Sequence, residues 1–209
     1  MPKETFWNLP QAKQEEIINA IIQEFAENPF ETASISRVVS KLGIAKGSMY
    51  QYFENKRAIY FYIIELVYSV KKEFLVDVFE RGDDFFTTLA NYYQKSFQFS
   101  LQYPLYHRVI NNFWDSKDQS LRQYILDNKE LRASDFQEHL ENAIKQGIVR
   151  PDICMEAAFF VYHSVGKELI DSFQHLTGEQ VEEHLRFINN VLNILKDGLM
   201  LKGKGEDQG

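Results

Sequence analysis

Glycine and proline are scarce in this chain and unevenly placed: its 209 residues hold 10 Gly and 5 Pro. None lies between Ser48 and Arg81, between Asp83 and Tyr103, between Leu105 and Gln146, or between Glu179 and Asp197. Long stretches without these two residues are what helices need, because glycine and proline oppose helix continuation most strongly. Alternating apolar and polar runs joined by hairpin dipeptides are missing, although Asp197-Gly198 stands near the end. The chain is expected to be all-α.

The punctuation also places the helices. The first begins after Pro10, carries Ile17, Ile18, Ile21, Ile22, Phe25 and Ala26 at helical spacing, and ends at Asn28-Pro29. A second opens at Ser34, whose hydroxyl is suited to cap the first turn, and stops at Gly43, which turns sharply without a Cβ penalty. A third runs from about Lys46 to Phe53 and a fourth from about Lys56 to Glu80, with Gly82-Asp83-Asp84 breaking it. Further helices are expected at about Asp84–Gln102, Leu105–Asn112, Asp118–Gln146, Met155–His175 and Glu179–Leu201, with a frayed tail over Lys202–Gly209.

Charge is more informative by segment than in total. The chain carries −7 overall, which alone argues against nucleic acid. Residues 1–57 hold seven basic and seven acidic residues, so the rest carries the whole deficit. Within Ser34–Arg57 five basic residues face one acidic residue, a local +4. Two short helices around Gly43, the second bearing Lys, Ser, Tyr and Gln, have the layout of a helix-turn-helix. The turn aims the later helix into the major groove, where Ile44, Met49 and Phe53 face inward and Lys46, Gly47, Ser48, Tyr50 and Gln51 outward. Lys46 is suited to guanine O6 or N7 and Gln51 to adenine; tyrosine hydroxyls and Lys56 suit phosphate oxygens.

The run Ile35-Ser36-Arg37-Val38-Val39-Ser40-Lys41-Leu42-Gly43-Ile44-Ala45-Lys46-Gly47-Ser48-Met49-Tyr50-Gln51-Tyr52-Phe53-Glu54-Asn55-Lys56 resembles the DNA-binding segment of the TetR family of bacterial transcriptional regulators. The resemblance covers roughly residues 8–57. It implies major-groove contacts from Lys46, Gly47, Ser48, Tyr50 and Gln51, and phosphate contacts from Tyr50, Tyr52 and Lys56. Ser36 and Arg37 fall where a side chain reaches a base or phosphate, and Ser34 matches a cap that also donates to phosphate. Val39 departs from the small alanine usual there. The implied fold is an N-terminal three-helix DNA-binding domain, 1–56, joined to a helical ligand-binding and dimerisation domain, 57–209.

Phe85–Trp114 hold ten of the 30 aromatics. Such a set lining a cavity between helices would suit a flat or lipophilic small molecule, with tyrosine and tryptophan supplying polar tips. The resemblance implies an effector pocket after the fourth helix, and Tyr62, Tyr93, Phe97, Tyr106, His107, Phe113, Trp114, Tyr162 and His163 are its candidate contacts. It also implies a two-fold homodimer built on the last two helices, through the stripes Ala158, Val161, Tyr162, Val165, Leu169, Phe173 and Val181, Leu185, Ile188, Val191, Leu192, Leu195, Leu199.

Other functions find no support in the residues. None of the five histidines has a Glu three residues before it, as a di-iron bundle needs. There is no His-Glu-x-x-His, Gly-x-Ser-x-Gly or P-loop. No enzyme, metal or cofactor is expected. The lone Cys154 reads as a small buried apolar residue. With no membrane-length apolar run and no signal pattern, a cytoplasmic protein is expected. The expected function is a ligand-responsive regulator, a repressor, that binds a near-palindromic double-stranded operator as a dimer and is released by a small apolar or aromatic effector. The competing reading is a helical small-molecule-binding or interaction protein without a DNA role.

Overall fold

The computed structural model describes residues 1–128, 136–173 and 176–199. Among these residues the regular structure is helical, with no β-strand. The helices are α1 (Glu4–Trp7), α2 (Gln11–Glu27), α3 (Ile35–Leu42), α4 (Lys46–Tyr52), α5 (Lys56–Glu80), α6 (Phe85–Gln102), α7 (Pro104–Asp115), α8 (Gln119–Asp127), α9 (Phe136–Lys145), α10 (Met155–Asp171) and α11 (Glu179–Leu199).

Two of these differ from expectation. Helix α1 was not anticipated. The single helix expected over Asp118–Gln146 is interrupted: α8 ends at Asp127, and Asn128 lies outside it. The Asn128 side chain turns back to donate to the Tyr124 carbonyl at 2.7 Å, a local bond that competes with helix continuation without any glycine or proline. The tail expected to fray, Lys202–Gly209, lies outside the described residues.

The chain forms two compact units. The first comprises Met1–Glu73 and Gln102–Ala133, the second Phe74–Leu101 and Ser134–Gly209. The units therefore do not follow chain order, because α7 packs along α2.

In the first unit the apolar stripe of α2 (Ile17, Ile21, Phe25) is fully buried together with Phe6, Met49 and Phe53. Ile59, Tyr60 and Ile63 of α5 complete this core. Tyr60 packs on Phe25, centroids 4.7 Å apart, and its hydroxyl finds no partner among the described residues. Burial pushes that phenol well above its ordinary value. Tyr124 of α8 stacks on Phe61 at 3.9 Å.

In the second unit Phe85, Phe86, Leu89, Phe97, Leu140, Leu169, Ile188 and Leu192 form the core around Tyr93. The Tyr93 hydroxyl donates to the Tyr162 carbonyl at 2.7 Å. Gly166 of α10 sits directly against its ring: a Cβ there would lie 2.3 Å from Tyr93 Cε1. His184 is buried between Phe97 and Phe173, and its Nε2 lies 2.7 Å from the Leu169 carbonyl, which fixes the hydrogen on that nitrogen. Cys154 is exposed, not buried as expected, because it precedes the first turn of α10 instead of lying on its inner face.

Candidate nucleic-acid interface

The turn between α3 and α4 is built as its sequence demands. Gly43 adopts φ 65°, and the N–H groups of Gly43 and Ile44 donate back to the carbonyls of Ser40 and Val39 at 3.2 and 3.1 Å. These bonds close the end of α3 and free the chain to start α4 three residues later. Met49 and Phe53 are fully buried beneath α4, and Val38 and Val39 beneath α3. Lys46, Gly47, Tyr50 and Gln51 are exposed, and Ser48 and Tyr52 are half-buried. Of the set expected to face outward, Lys46, Gly47, Tyr50 and Gln51 do so, and Ser48 is partly covered. Asn55 accepts the Ala58 N–H at 2.9 Å and so caps α5.

The α3 side of the site is arranged differently. No hydroxyl cap from Ser34 forms; its backbone N–H donates instead to Glu24 Oε1 at 2.7 Å. Glu24 is buried near the end of α2, and the Arg37 guanidinium grips it through Nε at 3.0 Å and Nη2 at 2.5 Å, with Nη2 also reaching the Thr32 carbonyl at 2.9 Å. This fork holds α3 to α2. Glu24 stands seven residues after Ile17 on the same apolar stripe, so a carboxylate on an inward face was the signal that a buried partner exists. Ser36 is exposed on the first turn of α3.

The basic character of Ser34–Arg57 is thus partly matched by partners within the chain. Arg37 pairs with Glu24, and Arg57 pairs with Asp118 at 3.3 Å and donates to Ser120. Lys41 donates to Gln23. Lys56 is half-buried with its ammonium 4.6 Å from the Phe30 ring centroid, and desolvation lowers its pKa. Lys46 is exposed on the outward side of α4.

The expected effector contacts do not fall in one unit. Tyr62, Tyr106, His107, Phe113 and Trp114 lie in the first, and Tyr93, Phe97, Tyr162 and His163 in the second. Tyr62 packs on Phe6, Trp7 and Phe53. Tyr106 lies against Tyr103. His107 is buried 3.1 Å from the Asn111 carboxamide, and Trp114 donates to the Tyr68 hydroxyl at 2.6 Å. Phe113 is fully buried. In the second unit Tyr162 stacks on Phe136 at 3.9 Å, and the exposed His163 lies parallel to Phe159. A cleft of about 20 Å³ is lined there by Phe79, Phe85, Thr88, Leu89, Tyr92, Phe136, His139 and Tyr162. Of the expected contacts it includes Tyr162, and it adds His139, which stacks on Phe79.

Most of the seam expected on the last two helices faces inward, Val161 excepted. Ala158, Leu169, Ile188 and Leu192 belong to the core of the second unit, with Leu192 only 6% exposed. The outward apolar residues are Phe159, Phe160, Val161, Phe187 and Ile194, with Phe160 and Ile194 70% and 72% exposed. Nearly every position from Ala157 to Tyr162 is apolar, so periodicity alone did not choose the inner face. Among the described residues no helix is long and apolar enough to cross a membrane.

Residues 17–63 match the profile of the family described as bacterial regulatory proteins, tetR family. The chain is 34% identical over 89 residues to an uncharacterized HTH-type transcriptional regulator, YvdT, of Bacillus subtilis, and the match covers 43% of each chain. It is 27% identical over 102 residues to an HTH-type transcriptional regulator of Staphylococcus aureus, covering 48% of this chain and 52% of that protein. The matched segment thus spans about half the length of these curated relatives. A solved regulator from Chloroflexus aurantiacus superposes with TM-score 0.77 at 28% identity, over 97% of this chain and 100% of the other. The regulator FadR of B. subtilis, solved in complex with stearoyl-CoA, superposes with TM-score 0.66 at 21% identity, over 88% and 98%.

Proposed function

This chain belongs to the TetR family of bacterial regulatory proteins, and from that premise we propose that it is a cytoplasmic repressor that binds a near-palindromic operator as a homodimer. The observation that carries the reading is the outward face of α4: Lys46, Gly47, Tyr50 and Gln51 are exposed while Met49 and Phe53 are buried beneath them. Lys46 and Gln51 read base edges, and Tyr50, Tyr52 and Lys56 take phosphates. Arg37 serves the site by holding α3 in place through Glu24. The functional division falls at residue 56, where the DNA-facing segment hands over to α5.

Two copies are needed because one helix-turn-helix reads only a few base pairs. The exposed apolar residues of α10 and α11 supply the surface for a two-fold contact. The effector is a small apolar or aromatic molecule that enters the second unit at the cleft bounded by Phe79, Tyr92, Phe136 and Tyr162. A neighbour of the same fold, FadR, was solved with an acyl-CoA.

The test is a gel shift with duplexes selected from a random-sequence pool, repeated over a salt series. Sequence-selective binding that weakens steeply with salt is expected, since phosphate contacts release counterions. Absence of binding to any duplex would leave the competing reading, a helical binding protein without a DNA role.

A further inference from the structure

The C-terminal end of a helix leaves its last carbonyls without intrahelical donors, and α4 is only seven residues long. Its last three carbonyls are met from far away in sequence. The Lys3 backbone N–H donates to the Tyr52 carbonyl at 2.8 Å. The Lys3 ammonium donates to the Tyr50 carbonyl at 2.9 Å, and the Thr5 hydroxyl to the Gln51 carbonyl at 2.5 Å. The ammonium also stands at the negative end of the helix dipole. Phe6, fully buried, anchors the donors from behind, with its ring centroid 6.2 Å from Tyr52 and 5.2 Å from Phe53.

We propose that Lys3 and Thr5 are positioning residues for base readout: they clamp the C-terminal turn of α4 so that the Tyr50 and Gln51 side chains meet the duplex in one orientation. The inference rests on the DNA-binding reading given above. The carbonyls held belong to the very residues whose side chains reach the DNA. A helix this short, released at one end, opens in its last turn. The loss falls on discrimination, because a bidentate bond to a base edge needs alignment, whereas an ammonium near a phosphate tolerates play.

The experiment uses the full chain as wild type, Lys3→Met, Thr5→Val and the double variant. Methionine keeps the lysine stem and valine the threonine shape. The specific probe is a duplex selected by the wild type from a random pool; the non-specific probe is a scrambled duplex of equal length. In the double variant the ratio of specific to non-specific affinity is expected to fall roughly three- to tenfold, the range set by losing a modest hydrogen bond. The slope of log affinity against log salt stays as in the wild type. In the free protein, amide exchange at residues 50–53 speeds up while exchange within α5 stays unchanged. A slope lowered by about one with the ratio retained would mark Lys3 as a phosphate ligand and overturn the proposal. So would variants that match the wild type in both ratio and exchange. If the wild type binds no duplex, it is the regulator reading that fails, and the exchange data still decide whether Lys3 and Thr5 hold α4.

Discussion

The Asn112 carboxamide donates to the Phe25 carbonyl at 2.8 Å, so a side chain of α7 closes the end of the helix against which α3 is braced. It also reaches the Ala26 carbonyl at 3.2 Å. Both acceptors belong to the last turn of α2, where no intrahelical donor is available, and both residues are buried. Asn112→Ala leaves these carbonyls dry and unmet. We expect a loss of about 1–3 kcal/mol, read by urea unfolding. An unchanged midpoint would show that the bond is dispensable.

The α4 assignments divide the basic and polar residues into two classes. Lys46→Ala and Gln51→Ala are expected to relax base preference by about 1–3 kcal/mol at one position each. Lys56→Ala is expected to weaken binding evenly across sequences and to leave preference intact. A panel of single-base substitutions in a selected duplex separates the classes, and identical profiles would refute the roles given to Lys46, Gln51 and Lys56.

For the last two helices, a charge on the outward face and one on the inward face should act differently. Phe160→Glu or Ile194→Glu is expected to give a folded monomer that no longer binds an operator. Leu192→Glu places an unpaired charge in the core of the second unit and is expected to unfold it, at a cost of several kcal/mol. Sedimentation with circular dichroism reads both results; a folded dimer in both outward variants would move the interface elsewhere.

Gly166→Ala tests the closest packing in the second unit. Alanine normally favours a helix by about 1 kcal/mol over glycine. Here its methyl would collide with a ring that is 1% exposed and tethered through its hydroxyl to the Tyr162 carbonyl. A net destabilisation of about 1–3 kcal/mol is expected, measured by thermal unfolding. A stabilised variant would mean that the Tyr93 ring has room to move.

Asp84 caps α6, accepting from the Phe86 and Thr87 N–H groups at 2.9 and 3.2 Å and from the Thr87 hydroxyl. The Thr87 hydroxyl bond, ahead of the two N–H bonds, holds its carboxyl below the ordinary 3.8. An acid with a depressed folded pKa contributes stability above its unfolded value and loses it as pH falls through the folded one. Asp84→Ala is therefore expected to cost about 0.5–1 kcal/mol at neutral pH, at the low end because the carboxylate is exposed. The gap between the two proteins should stay constant down to pH 3.8 and narrow below it. A gap that widens with acid would contradict the cap.

The helix-turn-helix was legible because local chemistry decides it. Gly43 must take a positive φ, and the apolar positions of α3 and α4 leave one outward set. What stayed hidden depends on partners distant in the chain. Arg37 also pairs with Glu24, thirteen residues earlier and on another helix, and no local pattern announces that bond. Lys3 and Thr5 carry no local pattern that points to residues 50–52. On α10 the apolar residues surround most of the helix, so contacts from elsewhere in the chain, such as that of Gly166 with Tyr93, reveal which side is inside.

A cleft of about 20 Å³ has room for little more than one water molecule, whereas pockets for drug-sized ligands measure roughly 300 Å³ or more. An effector larger than this must part the side chains that line the cleft before it can sit among them. Its measured affinity is then its intrinsic affinity scaled down by the fraction of molecules that stand open.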